Sequence, residues 1–449
     1  MKTLHLTNAF HERSGGIRTM YLALLEQAER EEQSMVLVVP AERDGVEHVG
    51  RFGRIHRVAA PRSPAFDRRY RVILPHRFLS RGRGGLRDLV ASERPDIVEV
   101  ADKYSLCYFA GLLRRERRRT GIGPTLIGSS CERLDDNLRA FVTRHPAASM
   151  AARRFLGGVY IGMFDAHVAN SQYTAAELER SMRHPHVRPV YMSPPGVHPV
   201  NVVLPSLRAA GRQSLKATFG IPTTAVCLVY AGRLSPEKNV SILPDMMARL
   251  LAVVPDAHLL LIGEGPERMR VAHLAAVSAP DRVHFHPHVV DRRALYELTA
   301  GADIFVHPNP REPFGIGPLE AMALGVPVVL PAAGGVLTYA TDANAWLAVP
   351  GAEGLAAAVM RAVVNPAERR RRVDAARHTA ARFAWPLAAE RMLALHRAIH
   401  AERLAGAPQT AAGRARRSTE LTADATAGLL CRGGVVRVPA SAGNPDDRV

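Results

Sequence analysis

Short apolar runs alternate with amphipathic helical segments along most of the chain, and this alternation restricts its fold more than any other feature. A strand followed by a helix, repeated several times, predicts a parallel sheet with helices on both faces. The pattern is clearest in the second half. The strands predicted there are Val226 to Ala231, His258 to Ile262, Val283 to Phe285, Asp303 to Val306 and Pro327 to Leu330.

The first half shows the same alternation, so the sequence predicts two doubly wound α/β domains. A proline-rich stretch of poor periodicity separates them and is predicted to be a linker. The last segment is dominated by Ala, Gly, Thr, Arg and Pro, which predicts disorder. The predicted organisation is a domain at 1–197, a linker at 198–222, a domain at 223–382, a C-terminal helix at 383–404 and a disordered tail at 405–449.

The stretch from Arg311 to Pro327 reads REPFGIGPLEAMALGVP and follows the fourth of these strands. Its glycines suit a loop, and Pro318 suits the first turn of a helix. Unpaired N–H groups at a helix N-terminus attract anions and polar oxygens. Two carboxylates, Glu312 and Glu320, flank that end. The pattern fits a ligand with phosphate and hydroxyl groups, such as a nucleotide sugar, but an ordinary turn with two solvated glutamates fits the spacing as well.

A second polar loop, AGRLSPEKN, follows the first predicted strand of the second half. It presents Arg233 and Lys238 near the end of that strand. When a diphosphate leaves a sugar, negative charge grows on the leaving oxygen, and paired cations there lower the barrier. In isolation, two solvated surface cations would be the simpler interpretation.

These two loops resemble the donor-binding motifs of glycosyltransferase family 4, whose members are retaining enzymes of GT-B fold. Glu312-Pro-Phe-Gly-Ile-Gly-Pro-Leu-Glu320 is similar to the paired-glutamate signature, and Gly232-Arg233 with Lys238-Asn239 is similar to the donor-phosphate loop. The resemblance covers about residues 1–404. It implies two Rossmann-like, doubly wound parallel-sheet domains that face an interdomain cleft, with a C-terminal helix that crosses back to the first domain.

The resemblance also implies roles for individual residues. Arg233 and Lys238 neutralise the departing diphosphate, and Glu312 positions the sugar rather than acting as a base; these three are the implied catalytic residues. Retention is then assigned to attack on the same face, assisted by the leaving phosphate. Glu320 would accept hydrogen bonds from the ribose hydroxyls. The implied donor-binding residues are Gly15, Gly16, Phe314, Gly315, Ile316, Gly317, Leu319 and Glu320.

One segment departs from the family pattern. Members of the family often have a histidine in the first domain that contacts the donor sugar, whereas Cys131 stands in the corresponding segment here. His11, in the N-terminal loop, is the candidate replacement. Asp96 to Asp102 and Cys131 to Asp135 resemble segments of actinobacterial mannosyltransferases, which favours GDP-mannose slightly over a UDP-sugar as the donor.

The sequence shows no cluster of metal ligands, because the nineteen histidines are scattered and the four cysteines are isolated. No metal or cofactor is expected for catalysis, since the cations and the helix N-termini would replace it. Isolated cysteines indicate reduced thiols in the cytoplasm. No apolar run approaches the roughly 20 residues that span a bilayer. Any membrane contact would therefore be peripheral, on the inner face.

A net charge of +17 points to an anionic partner. The segment from Arg51 to Arg83 has ten arginines and one acid, Asp67, among aromatic and aliphatic residues. This composition fits contact with an anionic membrane surface. A solvated arginine-rich loop with its apolar residues turned inward fits too, and nucleic acid is the weaker alternative.

The sequence thus predicts a retaining hexosyltransferase that uses a nucleoside diphosphate sugar, GDP-mannose or a UDP-sugar. The acceptor would be a hydroxyl, for example on a lipid-linked or envelope glycan precursor. A sugar-nucleotide epimerase of the same fold stays open, as does a non-catalytic basic protein that binds lipid or nucleic acid. A phosphorylase fits less well, because nothing in the sequence indicates a pyridoxal-binding lysine.

Overall fold

The computed structural model describes residues 1–10, 15–63, 70–79, 85–182, 188–199 and 204–406. The chain forms two compact units. Unit 1 combines residues 1–196 with the segment that starts at Trp385, and unit 2 comprises Val197–Ala384. The predicted disordered tail lies outside the described residues from position 407 onward.

Unit 1 is built on an eight-stranded sheet of order β3-β4-β2-β1-β5-β6-β7-β8, in which only β3 runs antiparallel to its neighbour. Its strands are β1 Lys2–Leu6, β2 Ser34–Ala41, β3 Gly45–Val49, β4 Gly53–Ala59, β5 Ile97–Val100, β6 Thr125–Ser130, β7 Ala166–Ala169 and β8 Val190–Met192. Its helices are α1 Gly15–Arg30, α2 His76–Leu79, α3 Leu86–Glu93, α4 Leu106–Thr120, α5 Leu134–Phe141, α6 Pro146–Phe155 and α7 Gln172–Ser181.

Unit 2 has a six-stranded, fully parallel sheet of order β11-β10-β9-β12-β13-β14. Its strands are β9 Cys227–Ala231, β10 His258–Ile262, β11 Val283–His286, β12 Ile304–Val306, β13 Val328–Pro331 and β14 Trp346–Ala348. Its helices are α8 Leu204–Phe219, α9 Leu243–Leu251, α10 Arg268–Ser278, α11 Arg292–Gly301, α12 Ile316–Ala323, α13 Ala352–Val364 and α14 Pro366–Arg382. The two doubly wound parallel sheets confirm the predicted fold class.

The predicted linker differs from the structure, because α8 occupies most of it. This helix packs closely on α11, where Gly211 and Gly301 bring the two backbones together. A Cβ on Gly211 would lie 2.1 Å from the carbonyl oxygen of Glu297, so only glycine fits. The segment therefore belongs to unit 2. The sequence did not reveal this, because the contact depends on two glycines far apart in the chain.

The last described helix, α15 Trp385–Leu404, belongs to unit 1, as the resemblance implies. It packs against α1 and contributes Trp385, Met392 and Leu393 to the apolar layer on that face of the sheet. Successive side chains of strand β1 point to opposite faces of the sheet. Leu4 and Leu6 pack into the core on the face away from α15, while His5 lies between the sheet and α15.

Carboxylates of unit 1 balance part of the positive charge of the segment 51–83. Of its described arginines, four form ion pairs with carboxylates elsewhere in unit 1, at distances of 2.5–3.0 Å. Ile73 and Phe78 lie in the core with no exposed surface. The pairs are Arg54–Glu93, Arg57–Glu47, Arg71–Glu42 and Arg77–Asp44. The charge of this segment is thus lower than its composition suggests, and contact with a membrane through it stays a prediction.

Within the described residues, no helix is both long enough and apolar enough to cross a membrane.

Candidate donor-binding site

The glycine-rich turn between β12 and α12 has the conformation that its sequence requires. Gly315 is the N-cap of α12 and has a φ of +85°, a left-handed conformation that favours glycine. A Cβ at this position would also lie 2.9 Å from the hydroxyl of Tyr339. The helix begins at Ile316, so the N–H groups of Ile316 and Gly317 have no partner within the helix. The turn thus leads into a helix N-terminus that can bind an anion, as the sequence predicts.

Phe314 and Leu319, two of the predicted donor-binding residues, have side chains that lie in the hydrophobic core of unit 2. Phe314 is 2% exposed and packs on Tyr339 and Phe383 at ring distances of 5.3 and 6.0 Å. Leu319 has no exposed surface. Any contact of Phe314 or Leu319 with a ligand would therefore come from the backbone, while the side chains hold the turn in place.

Glu312, in the same turn, is almost buried and surrounded by donors. Both of its oxygens accept hydrogen bonds from the Nζ of Lys238, at 2.9 and 2.8 Å. Asn309 donates to Oε2 at 3.2 Å, and His307 Nε2 lies 3.2 Å from the same oxygen. Burial alone would raise the pKa of Glu312, but Lys238 and His307 lower it well below its ordinary value. The carboxylate is therefore charged at neutral pH.

Lys238 reaches Glu312 because the loop after β9 is hydrogen-bonded to the loop after β12. A short 3₁₀ turn, Pro236–Lys238, ends at Asn239, whose φ of +54° is left-handed, a conformation that asparagine tolerates. The side chain of Asn239 donates to the carbonyl oxygen of Pro308 at 3.1 Å. The Lys-Asn pair of the sequence motif therefore has two roles, since lysine carries the charge and asparagine fixes the loop.

Arg233 lies in the same loop but has a different partner. Its Nη2 is 3.4 Å from Glu237 Oε1, and its carbonyl oxygen accepts a hydrogen bond from the hydroxyl of Tyr230 at 2.9 Å. The side chain is half-buried. The structure thus places Arg233 and Lys238 on one loop at the carboxyl end of β9, where parallel sheets bind their ligands.

Glu320 lies on α12, half-buried beside helix α11. Tyr296 of α11 donates to its Oε1 at 3.4 Å, and Arg292 is near. Burial raises the pKa of Glu320 to about 7, although Arg292 and Tyr296 act in the opposite direction. Near neutral pH this side chain therefore exchanges between a protonated and a charged form, unlike Glu312.

Comparisons with known proteins identify a family and relatives of this chain. The family model described as "Glycosyl transferases group 1" matches residues 211–379. A GDP-mannose-dependent α-(1-6)-phosphatidylinositol dimannoside mannosyltransferase of Mycobacterium tuberculosis is 29% identical over 394 residues, which are 88% of this chain and 95% of that protein. A D-inositol 3-phosphate glycosyltransferase of Xylanimonas cellulosilytica is 33% identical over 241 residues, 51% of this chain and 56% of that protein. Residues 211–379 thus form a group 1 glycosyltransferase domain, and the chain is a glycosyltransferase.

Solved structures agree on the fold of this glycosyltransferase. Sucrose-phosphate synthase from Thermosynechococcus elongatus superposes with a TM-score of 0.68 at 20% identity, over 89% of this chain and 100% of that chain. The Anabaena protein HepE in complex with UDP and glucose gives a TM-score of 0.62 at 18% identity, over 88% and 98% of the two chains. Both confirm the predicted GT-B fold.

The glycosyltransferase also has supporting residues that the sequence did not reveal. The loop after β10 packs backbone to backbone on the loop that carries Arg233. A Cβ on Gly263 would lie 2.0 Å from the carbonyl oxygen of Gly232, and one on Gly265 would lie 2.1 Å from that of Leu234. The sequence Gly-Glu-Gly directly after an apolar run was the local pattern that could have indicated this close packing. By contrast, nothing local marked His307, Asn309 or Tyr296 as partners of the two glutamates.

The structure describes some, but not all, of the site residues that the sequence predicts in unit 1. Gly15 and Gly16 form the start of α1, as expected for a glycine loop that opens a helix. His11 lies outside the described residues. Cys131 follows β6 and is half-buried, with its Sγ 3.9 Å from Ser129 Oγ. Burial raises the pKa of the Cys131 thiol to about 12, so it is not a thiolate nucleophile. Its contact with a donor sugar stays a prediction.

Glu320→Gln is expected to stabilise the glycosyltransferase at pH 8 by a few degrees in Tm. A carboxyl group whose pKa rises from 4.5 to about 7 on folding binds its proton more tightly in the folded state. Its presence therefore destabilises the fold increasingly as pH rises from about 4.5 to 7. The Tm difference between variant and wild type should shrink as pH falls and vanish below about pH 4, where the carboxyl is protonated in both the folded and the unfolded state. The control is Glu297→Gln, which removes a half-buried carboxylate of unit 2 that accepts a hydrogen bond from Ser214. A pH-independent Tm difference for Glu320→Gln would contradict the assignment.

Proposed function

We propose that this enzyme transfers a mannosyl group from GDP-mannose to a hydroxyl group of an inositol-containing glycolipid, with retention and without a catalytic metal. The observation that carries the proposal is the arrangement in unit 2. Two cations, Arg233 and Lys238, lie on one loop, and the paired glutamates flank the N-terminus of α12 on the next loop.

The donor phosphates are proposed to bind between these cations and the first turn of α12. Arg233 offers a planar fork of donors, whereas Lys238 offers a point charge. The N–H groups of Ile316 and Gly317, which have no partner within the helix, add positive potential at the same end. Such preorganised charges stabilise a departing diphosphate in the way a divalent ion would, since they need not reorganise during the reaction.

The charge of Glu312 supports a positioning role in this mechanism. A general base works best when its pKa lies near the working pH. Lys238 and His307 lower the pKa of Glu312 well below its ordinary value, although burial acts against them. Glu312 is thus a poor base but a good acceptor for sugar hydroxyls. The departing phosphate would then take the proton of the acceptor hydroxyl, which attacks the anomeric carbon from the same face.

The names of the relatives support mannose as the sugar, guanine as the base of the donor and an inositol compound as the acceptor. The Mycobacterium tuberculosis relative is named for GDP-mannose and a phosphatidylinositol dimannoside, and the similarity spans nearly its full length. A second relative, named for D-inositol 3-phosphate, also implies an inositol acceptor. A lipid acceptor would require a peripheral contact with an anionic membrane. The segment from Arg51 to Arg83 is the proposed contact surface.

The test is a donor screen followed by a transfer assay. GDP-mannose should raise the Tm of the purified enzyme more than UDP-glucose does, because a ligand of the folded state stabilises it. Labelled mannose should then reach phosphatidylinositol mannosides in anionic vesicles, with the α-anomer retained and with turnover unchanged by EDTA. A soluble inositol phosphate in place of the vesicles separates a lipid acceptor from a free one. Sugar isomerisation without any acceptor would instead identify an epimerase.

Binding of neither GDP- nor UDP-sugars would contradict the proposal as a whole. Turnover that EDTA abolishes without lowering the Tm would contradict only its metal-independent mechanism. Transfer to the soluble inositol phosphate alone would contradict only the lipid acceptor.

A further inference from the structure

Three ionisable side chains from opposite ends of the chain meet inside unit 1, away from the residues proposed to bind the donor. His5 lies on β1, Glu99 on β5 and His396 on α15, and none of them has any exposed surface. His5 and Glu99 are direct cross-strand partners in the parallel register of β1 and β5. Since α15 crosses this face of the sheet, His396 completes the group.

The potential ligand atoms of these side chains converge on one point. Glu99 Oε2 lies 3.3 Å from His5 Nδ1 and 2.8 Å from His396 Nε2, and all three atoms lie within 4.8 Å of one another. In the part of the chain that the structure describes, none of the three atoms has a partner with hydrogen-bond geometry. Buried polar atoms rarely lack partners, so three of them at one point indicate a missing binding partner.

The opposite ends of these side chains are held by other groups. Tyr21 of α1 donates its hydroxyl to Glu99 Oε1 at 3.1 Å. His5 Nε2 lies 3.1 Å from Thr3 Oγ1, so it can donate there while Nδ1 keeps a free lone pair. Metal-binding histidines and carboxylates are held in the same way by outer hydrogen bonds that fix the tautomer and the orientation.

No basic side chain of permanent charge balances this carboxylate. Among the described residues, no arginine or lysine forms an ion pair with Glu99. An ionised carboxylate without a full positive charge beside it is strongly unfavourable in a protein interior, and a divalent ion would supply that charge.

We propose that His5, Glu99 and His396 bind a divalent metal ion of the zinc class, which fixes α15 to the sheet of unit 1. Ligands at 2.0–2.1 Å around a tetrahedral zinc ion lie about 3.3 Å apart. The distance from Glu99 Oε2 to His5 Nδ1 is 3.3 Å, and that to His396 Nε2 is 2.8 Å, so His396 would move outward slightly to admit the ion. Two imidazoles and one carboxylate are a common ligand set for zinc, with a water molecule or the second carboxylate oxygen in the fourth position. The ion has a structural role here, because its ligands belong to the core of unit 1 and not to the donor-binding loops.

The first measurement is the metal content and the Tm of the full-length enzyme, prepared without an affinity tag. We expect about one zinc ion per chain. After unfolding with a chelator, refolding with zinc should give a Tm about 5 °C or more above that of protein refolded without metal. Refolding with Co²⁺ should give the visible absorption bands of a tetrahedral nitrogen and oxygen site, and this readout needs no variant.

Variants then locate the ion. His396→Gln, His5→Gln and Glu99→Gln should each lose the stoichiometric metal and the Co²⁺ bands. His400→Gln, one turn further along α15, should keep both, because its Nδ1 contacts Thr125 at 2.7 Å and lies outside the group. Equal metal loss in His400→Gln would indicate adventitious surface binding and overturn the proposal. So would a wild-type Tm and spectrum that zinc and Co²⁺ leave unchanged, in which case a proton on one imidazole balances Glu99.

Failure of this proposal would be distinct from failure of the proposed function. Metal content and Tm are measured without donor or acceptor, and the donor screen does not depend on the ion.

Discussion

Replacing Lys238 by alanine is expected to lower the kcat/KM of sugar transfer by about 10³-fold or more without unfolding the protein. Lys238 is the point charge that we propose for the leaving diphosphate, and it also holds both oxygens of Glu312. The variant therefore loses charge stabilisation in the transition state and the position of the sugar-binding carboxylate together. Steady-state kinetics with labelled donor, with circular dichroism and Tm on the same samples, would measure the effect.

The matched control is Lys216→Ala, which removes an exposed lysine of α8 in the same unit and should leave kcat/KM unchanged. A second readout follows from Glu312. Its lowered pKa stabilises the fold above the ordinary carboxyl pKa, and this contribution is lost as pH falls. Without Lys238 the contribution shrinks, so the Tm of Lys238→Ala should lie furthest below that of the wild type at pH 8. Turnover of Lys238→Ala within tenfold of wild type would exclude the proposed charge stabilisation.

The sequence predicts those helices and strands whose own residues show a clear hydrophobic pattern. Strands β9, β10, β12 and β13 are buried on both faces of a parallel sheet, so each is a continuous apolar run, and the predicted bounds agree to within about a residue. The hairpin of β3 and β4 was missed, since Gly45–Val49 is an exposed edge strand with no apolar face. Helix α8 was missed because glycine and proline interrupt its periodicity.

The sequence indicates the charged residues of the candidate site but not the side chains that contact them. Arg233, Lys238, Glu312 and Glu320 occur in local motifs whose spacing has a physical meaning. The ion pair between Lys238 and Glu312 joins two loops, and no local pattern encodes it. The same limit applies to the group of His5, Glu99 and His396, because only the crossing of α15 over β1 and β5 brings these residues together. Scattered histidines in a sequence are therefore weak grounds for excluding a metal site.

Glu312→Gln is expected to lower kcat by about 10²–10³-fold while the KM for the donor changes less. The carboxylate accepts two hydrogen bonds from Lys238 and one from Asn309. Glutamine keeps the shape but replaces one acceptor oxygen with an NH₂ group that faces the ammonium. Lys238 then loses its charged partner, and the fold should be less stable by about 1–3 kcal/mol. Urea unfolding and steady-state kinetics would measure both effects.

The pH profile of kcat separates a positioning role for Glu312 from a role as a base. A base would contribute an acidic limb to the profile, and glutamine would remove that limb together with the activity. Because Lys238 and His307 lower the pKa of Glu312 well below its ordinary value, despite its burial, the carboxylate is charged throughout the assay range. The profile of Glu312→Gln should therefore keep the wild-type shape at a lower level. Glu297→Gln, a half-buried carboxylate hydrogen-bonded to Ser214 in the same unit, should change neither kcat nor the profile. Loss of an acidic limb only in Glu312→Gln would make Glu312 a base, and the leaving phosphate would then no longer be needed to take the acceptor's proton.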